Sequence, residues 1–234
     1  MIVCFGGLTI GGIFVAKDII YNSLKLLVEA GVDFSGVNEA ILNTVLAIIC
    51  YIIALAIAIG IPWIMFKHRT TPRELGLLRF PTWSEIGLAP AGLVVYFLTS
   101  AVVMYLVMQL FSGFDADQAQ EIGFTHLGQS YEYVIAFLTL VVIAPIAEET
   151  LFRGYLFGKL KRWIPWWGSA VITSILFGYA HGQWNVAIDT FVLSVFACIL
   201  REITGSLWPS IFLHALKNGL AYYLIFINPT LLGL

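Results

Sequence analysis

The chain has 234 residues, 60% of them hydrophobic and only 11% charged, with a net charge of −2 and a mean hydropathy of +0.92. A soluble domain carries about 25% charged residues, so apolarity spread over this whole length excludes an ordinary water-soluble fold and reads as a multi-pass membrane protein. No basic cluster is dense enough for nucleic acid. Cys4, Cys50 and Cys198 lie far apart in apolar runs, without metal-ligand spacing, and read as small buried hydrophobes.

Residues 1–16 are apolar and glycine-rich, short of the about 20 residues a span needs, and lack the basic start of a signal peptide. They read as a first helix or part of one, with Gly7 and Gly11 offering one close-approach pair. In residues 17–37, Ile19, Ile20, Leu24, Leu27 and Val28 fall near helical spacing between Lys17, Lys25 and Glu29. That pattern fits either an amphipathic helix at the interface or a polar extension of the first helix.

Residues 40–66 form a long uncharged span, which Pro62 is expected to kink or end. The most basic loop follows, Lys67, His68, Arg69, Arg73 and Arg79, and the positive-inside rule puts it in the cytoplasm. Residues 87–111 run outward. Residues 112–129, with Asp115, Asp117 and Glu121 and no Lys or Arg, suit an outer loop. Residues 133–147 return inward to Glu148 and Glu149, and Arg153, Lys159, Lys161 and Arg162 fit the cytoplasmic side. Residues 168–180 go out, 186–200 come back to Arg201, and 206–227 go out again. The expected fold is one all-α membrane domain over 1–234, a helical bundle of about six to eight membrane segments. A barrel would need many alternating segments of about ten residues, which are absent. Trp163, Trp166 and Trp167 with Pro165 suit an interfacial belt on the cytoplasmic side.

Ionisable groups at membrane depth mark function and seek partners, and three pieces of this chain carry them. Glu149 and Arg153 are four apart, acid before base, and can pair on one helix face. Glu148 stands roughly 100° round the helix and is free of that pair. Glu-Glu before Arg at the end of a span could also be a solvated helix end, with Arg153 snorkelling to head groups. Phe177 and His181, and then His214 and Asn218, repeat the four-residue spacing near or inside later apolar runs. A lone histidine such as His181 is more often a satisfied polar residue. His214, Lys217 and Asn218 in one run instead imply a polar seam facing the bundle interior. Glutamate and histidine together can hold and deprotonate a water, and a histidine with an asparagine can donate to an oxyanion. Asp189 and Lys217 could pair across helices, or Lys217 could snorkel.

These pieces resemble the three motifs of the CAAX-protease and bacteriocin-processing family, the type II CAAX prenyl endopeptidase-like intramembrane proteases: Glu-Glu-x-x-x-Arg, Phe-x-x-x-His and His-x-x-x-Asn or Asp. They are matched by Glu148-Glu149-Thr-Leu-Phe-Arg153, Phe177-Gly-Tyr-Ala-His181 and His214-Ala-Leu-Lys-Asn218. The resemblance covers about residues 140–224, with a fainter echo at Arg73-Glu-Leu-Gly-Leu77. It implies a glutamate-dependent protease of all-helical fold in the cell membrane. Glu148 and His181 would activate water, and His214 and Asn218 would stabilise the oxyanion. Glu149, Arg153 and Phe177 would support them.

Two histidines and a glutamate are also a conceivable zinc set, but His-Glu-x-x-His is absent, and the expectation is no metal or cofactor. Expected partners are the lipid bilayer and a membrane-anchored or membrane-embedded peptide, prenylated CAAX-type substrates among them. The alternatives are a non-catalytic membrane scaffold or bacteriocin self-immunity protein of the same fold, and a transporter. A transporter predicts inverted repeats between halves, and none is visible.

Overall fold

A long apolar run in a membrane must satisfy its backbone groups internally, which selects helices. The computed structural model describes residues 2–67, 69–116, 118, 123–124 and 127–232. Among these, eight helices follow in order: α1 (Ile2–Glu29), α2 (Glu39–Met65), α3 (Pro72–Leu75), α4 (Trp83–Leu110), α5 (Ser130–Leu160), α6 (Trp166–Tyr179), α7 (Trp184–Thr204) and α8 (Trp208–Ile227). Four of them, α2, α4, α5 and α8, are long and apolar enough to cross a membrane. The chain is an all-helical integral membrane protein. His68, Asp117 and Glu121, which entered the loop assignments, lie outside the described residues.

Helix starts carry the expected chemistry. The Asn38 side chain accepts from the Ile41 N–H at the head of α2. Thr82 and Glu85 cap α4 reciprocally, and Arg79 grips the Glu85 carboxylate through two hydrogen bonds of 2.7 and 2.8 Å.

The structure decides three points that the sequence reading raised. Residues 2–29 form one continuous helix, so the mixed stretch extends the first helix rather than lying apart. Gly7 and Gly11 face open space; the close approach belongs to Gly12, where a Cβ would stand 3.2 Å from the Ala54 carbonyl of α2. Pro62 does not end α2. A π-wound turn at Ala56–Gly60 precedes it, and Pro62 then occupies the first turn of Ile61–Phe66, where its missing N–H loses little. Pro145 in α5 follows a second π turn, Leu138–Ile143, in the same way.

Helix α5 is the centre. In its most apolar window 44% of residues are buried, against 11% in α2 and α4, and Leu151 to Phe157 are buried without a break. A helix buried all round must be flanked on every side. Phe152, Tyr155 and Leu156 pack with Ala16 of α1, Ala54 of α2 and Phe177 of α6. Tyr96, Leu193 and Leu213 join α4, α7 and α8. At the α6–α7 crossing a Cβ on Gly178 would meet the Ala187 carbonyl at 2.5 Å, so this contact requires glycine.

At the end of α5, Glu74 of α3 holds Lys159 and Arg162 at 2.9 Å each, and its carbonyl accepts from Arg201 at 3.1 Å. Three of the basic residues assigned to the cytoplasmic side are internal: Arg153 is fully buried, Lys159 is 3% exposed and Arg201 6%. Burial alone would raise the Glu74 pKa, but the hydrogen bonds and charges of Lys159 and Arg162 hold it at about 2. A carboxyl depressed below its usual 4.5 contributes stability that is complete above that value and is lost as pH falls towards 2. Acid unfolding followed by circular dichroism should show wild type losing its margin over Glu74→Gln across this window. Parallel curves would remove the clamp.

Candidate active site

Three helices converge on one group of polar side chains. The buried turn of α5 presents Glu148 and Glu149 on different faces. Arg153 Nη1 donates to Glu149 Oε1 at 2.8 Å, and both side chains are wholly buried. His214 of α8 places Nδ1 2.9 Å from the same oxygen. Glu149 thus joins the arginine of its own helix to the histidine of another. Glu149 Oε2 and Arg153 Nε and Nη2 have no hydrogen-bond partner among the described residues. The Phe177 ring takes up part of that demand, with the guanidinium carbon 4.2 Å from its centroid. The same ring packs edge-on to Phe152 and His181, at 4.8 Å each, and to His214 at 5.9 Å.

Glu148 stands apart from this cluster. Its side chain is 19% exposed, and Oε2 lies 3.9 Å from His214 Nε2, beyond hydrogen-bonding range. Its hydrogen-bond partner is Tyr51 of α2, whose hydroxyl donates to Oε1 at 2.6 Å. Tyr51 escaped the sequence reading because one tyrosine in an apolar span reads as packing. The available signal was that residues 40–66 hold no other phenol.

His181, just beyond α6, sets Nδ1 2.8 Å from the Phe177 carbonyl. A carbonyl only accepts, so Nδ1 carries the proton and Nε2 keeps a lone pair. Glu148, His181, Phe177 and Tyr51 share the wall of a cavity of about 550 Å³, completed mostly by apolar residues of α1 and α2, with Lys17, Tyr21 and Cys50 among them. Asn218 is not brought to that wall. Its amide donates to the Leu140 carbonyl at 2.9 Å and borders a small recess with Lys217 and Tyr222. Among the described residues, no three His, Cys, Asp or Glu side chains are grouped to hold a metal ion.

Lys217 pairs with Asp189 of α7 at 3.4 Å rather than snorkelling alone. Asp189 Oδ1 also accepts from Tyr96 at 2.5 Å and Ser100 at 2.8 Å of α4. A double-mutant cycle of Asp189→Asn and Lys217→Met should show coupling of roughly 0.5–3 kcal/mol in unfolding free energy. Additivity would remove the pair as an energetic unit.

A comparison with known protein families falls on this same segment. Residues 130–220 match the family described as "Type II CAAX prenyl endopeptidase Rce1-like". The resemblance carried by the three motifs holds over the segment that contains them. The chain is 32% identical over 88 residues to an Escherichia coli protein described as "Uncharacterized 24.3 kDa protein", covering 36% of this chain and 41% of that one. It is 24% identical over 155 residues to "Putative membrane peptidase YdiL" of Bacillus subtilis (strain 168), covering 64% and 61%. The chain thus spans less than two thirds of either relative's length. No solved structure matches it.

Proposed function

We propose that this protein is an intramembrane endopeptidase of the Rce1-like kind, cleaving a membrane-anchored or membrane-embedded peptide near the cytoplasmic face of the cell membrane. The observation that carries the reading is the meeting of Glu148 and His181 on one cavity wall, backed by the buried Arg153–Glu149–His214 chain. The family match of residues 130–220 supports the reaction class. Prenylated CAAX-type peptides are one substrate option, and the apolar lining from α1 and α2 suits a lipidated or hydrophobic chain.

In the proposed reaction a water held between Glu148 and His181 attacks the scissile carbonyl. Glu148 takes a proton as the new C–O bond forms, and the free Nε2 of His181 accepts the second hydrogen as a hydrogen bond. The carbonyl oxygen becomes an oxyanion. His214 would donate to it from Nε2 when protonated; Asn218, expected from the motif to share this role, would have to turn away from the Leu140 carbonyl to reach it. Glu148 then returns its proton to the leaving amine as the C–N bond breaks. Glu149 fixes the His214 ring, and Phe177 seals the space between Arg153 and the two imidazoles. No step uses a metal.

The test is cleavage of a mixed library of prenylated and plain membrane peptides by purified protein in liposomes, read by mass spectrometry across a chelator series. Chelator-independent cleavage is expected. Chelator-sensitive cleavage would overturn the metal-free scheme while keeping the enzyme. No cleavage of any peptide would move the assignment to the scaffold or immunity reading.

A further inference from the structure

Tyr51 lies outside the motif segments, on α2, whose other residues in the cavity wall are Leu46, Ala47, Cys50 and Ala54. Its position nevertheless bears on how the site would work. The phenol lines the cavity and reaches Glu148 Oε1 at 2.6 Å. Glu148 has two oxygens, and a general base must present one of them to water with its lone pair free. Tyr51 occupies one. The other, Oε2, is left without a hydrogen bond and points to the side where His214 Nε2 stands 3.9 Å away.

A tyrosine in an apolar span takes any nearby acceptor simply to satisfy its hydroxyl. Here, though, the acceptor is a carboxylate on a different helix, in the cavity that also holds His181. The bond crosses from α2 to α5 and spans 97 residues of sequence. Without it, Glu148 is held by no hydrogen bond among the described residues, and its carboxylate could rotate between rotamers in a roomy cavity. A base needs a fixed direction to act well.

We infer that Tyr51 is a positioning residue for the proposed hydrolysis. It caps Oε1 and turns Oε2 into the oxygen that takes the proton from water, while the water oxygen bonds to the scissile carbonyl carbon. Tyr51 touches neither the water nor the substrate carbonyl in this role, so it acts on the rate through Glu148. The inference rests on the endopeptidase reading and adds to it which oxygen is the base and what aims it.

The experiment compares wild type and Tyr51→Phe on a peptide that wild type cleaves, with thermal unfolding measured on the same preparations. The phenylalanine keeps the ring and its packing. A fall of about 10- to 100-fold in kcat, with KM within about twofold and an unshifted unfolding midpoint, is expected. A purely structural role would move the midpoint, and a substrate-binding role would move KM; either pattern, or unchanged kcat, overturns the inference. Infrared difference spectra between each protein and its Glu148→Gln counterpart read the carboxylate without turnover. The Glu148 band must move in Tyr51→Phe, and an unmoved band also overturns the inference. Wild type that cleaves nothing would instead refute the endopeptidase reading, and this inference with it.

Discussion

Replacing Glu148 with glutamine is expected to reduce peptide cleavage by at least about 10³-fold while leaving the fold intact. General acid–base catalysis by a positioned side chain contributes roughly 10²–10⁴-fold, and in the proposed scheme Glu148 serves as base and then as acid. Glutamine keeps the volume and the carbonyl oxygen that accepts from Tyr51, so the 2.6 Å contact survives. Glu148 takes part in no buried ion pair within hydrogen-bonding range, and its side chain is 19% exposed. Removing its charge therefore leaves no partner stranded. His181→Ala should give a comparable loss, since His181 lines the same cavity as Glu148. Cleavage rates with thermal unfolding on one preparation decide the point. A folded Glu148→Gln protein with normal turnover would refute the assignment of the base.

The neighbouring acid should behave in the opposite way. Arg153→Met is expected to destabilise the protein by about 3–5 kcal/mol, because it leaves the Glu149 carboxylate buried without its cation. Glu149 and Arg153 are both inaccessible to solvent, and Glu149 Oε1 serves Arg153 and His214 together. Glu149→Gln should likewise destabilise, by stranding the guanidinium over Phe177. The double variant Glu149→Gln/Arg153→Met should recover much of the loss, since a buried pair replaced by neutral groups of similar volume is often tolerated. Denaturant titration in detergent measures all three. Equal stability losses at Glu148 and Glu149, or singles as stable as wild type, would contradict the division between a supporting and a reacting glutamate.

That Glu149, and not Glu148, pairs with Arg153 was legible before any coordinates, and the reason is local geometry. Four residues on a helix bring side chains together whatever surrounds them, so the Glu149–Arg153 pair followed from spacing alone. What spacing could not supply was depth. Arg153 at the end of an apolar run reads equally as a snorkelling side chain, and only the packing of α1, α2 and α6 around α5 makes it wholly buried. The same holds for Lys159, assigned to the cytoplasmic side on charge and found clamped by Glu74. Positive-inside reasoning counts charges, whereas burial is decided by what folds over them.

Hydropathy and motif spacing determined, by themselves, that this chain is a helical membrane protein and that α5, α6 and α8 carry its polar groups. Both signals are short-range: a run of apolar residues must bury its backbone hydrogen bonds, and a period of 3.6 fixes neighbours within one helix. The tertiary structure alone decided what each group faces. It put Tyr51 on Glu148 and His214 on Glu149. It gave Lys217 to Asp189 and turned Asn218 towards Leu140. Each of these contacts joins different helices, and which helix face meets which depends on packing between side chains far apart in the chain, which no local pattern encodes.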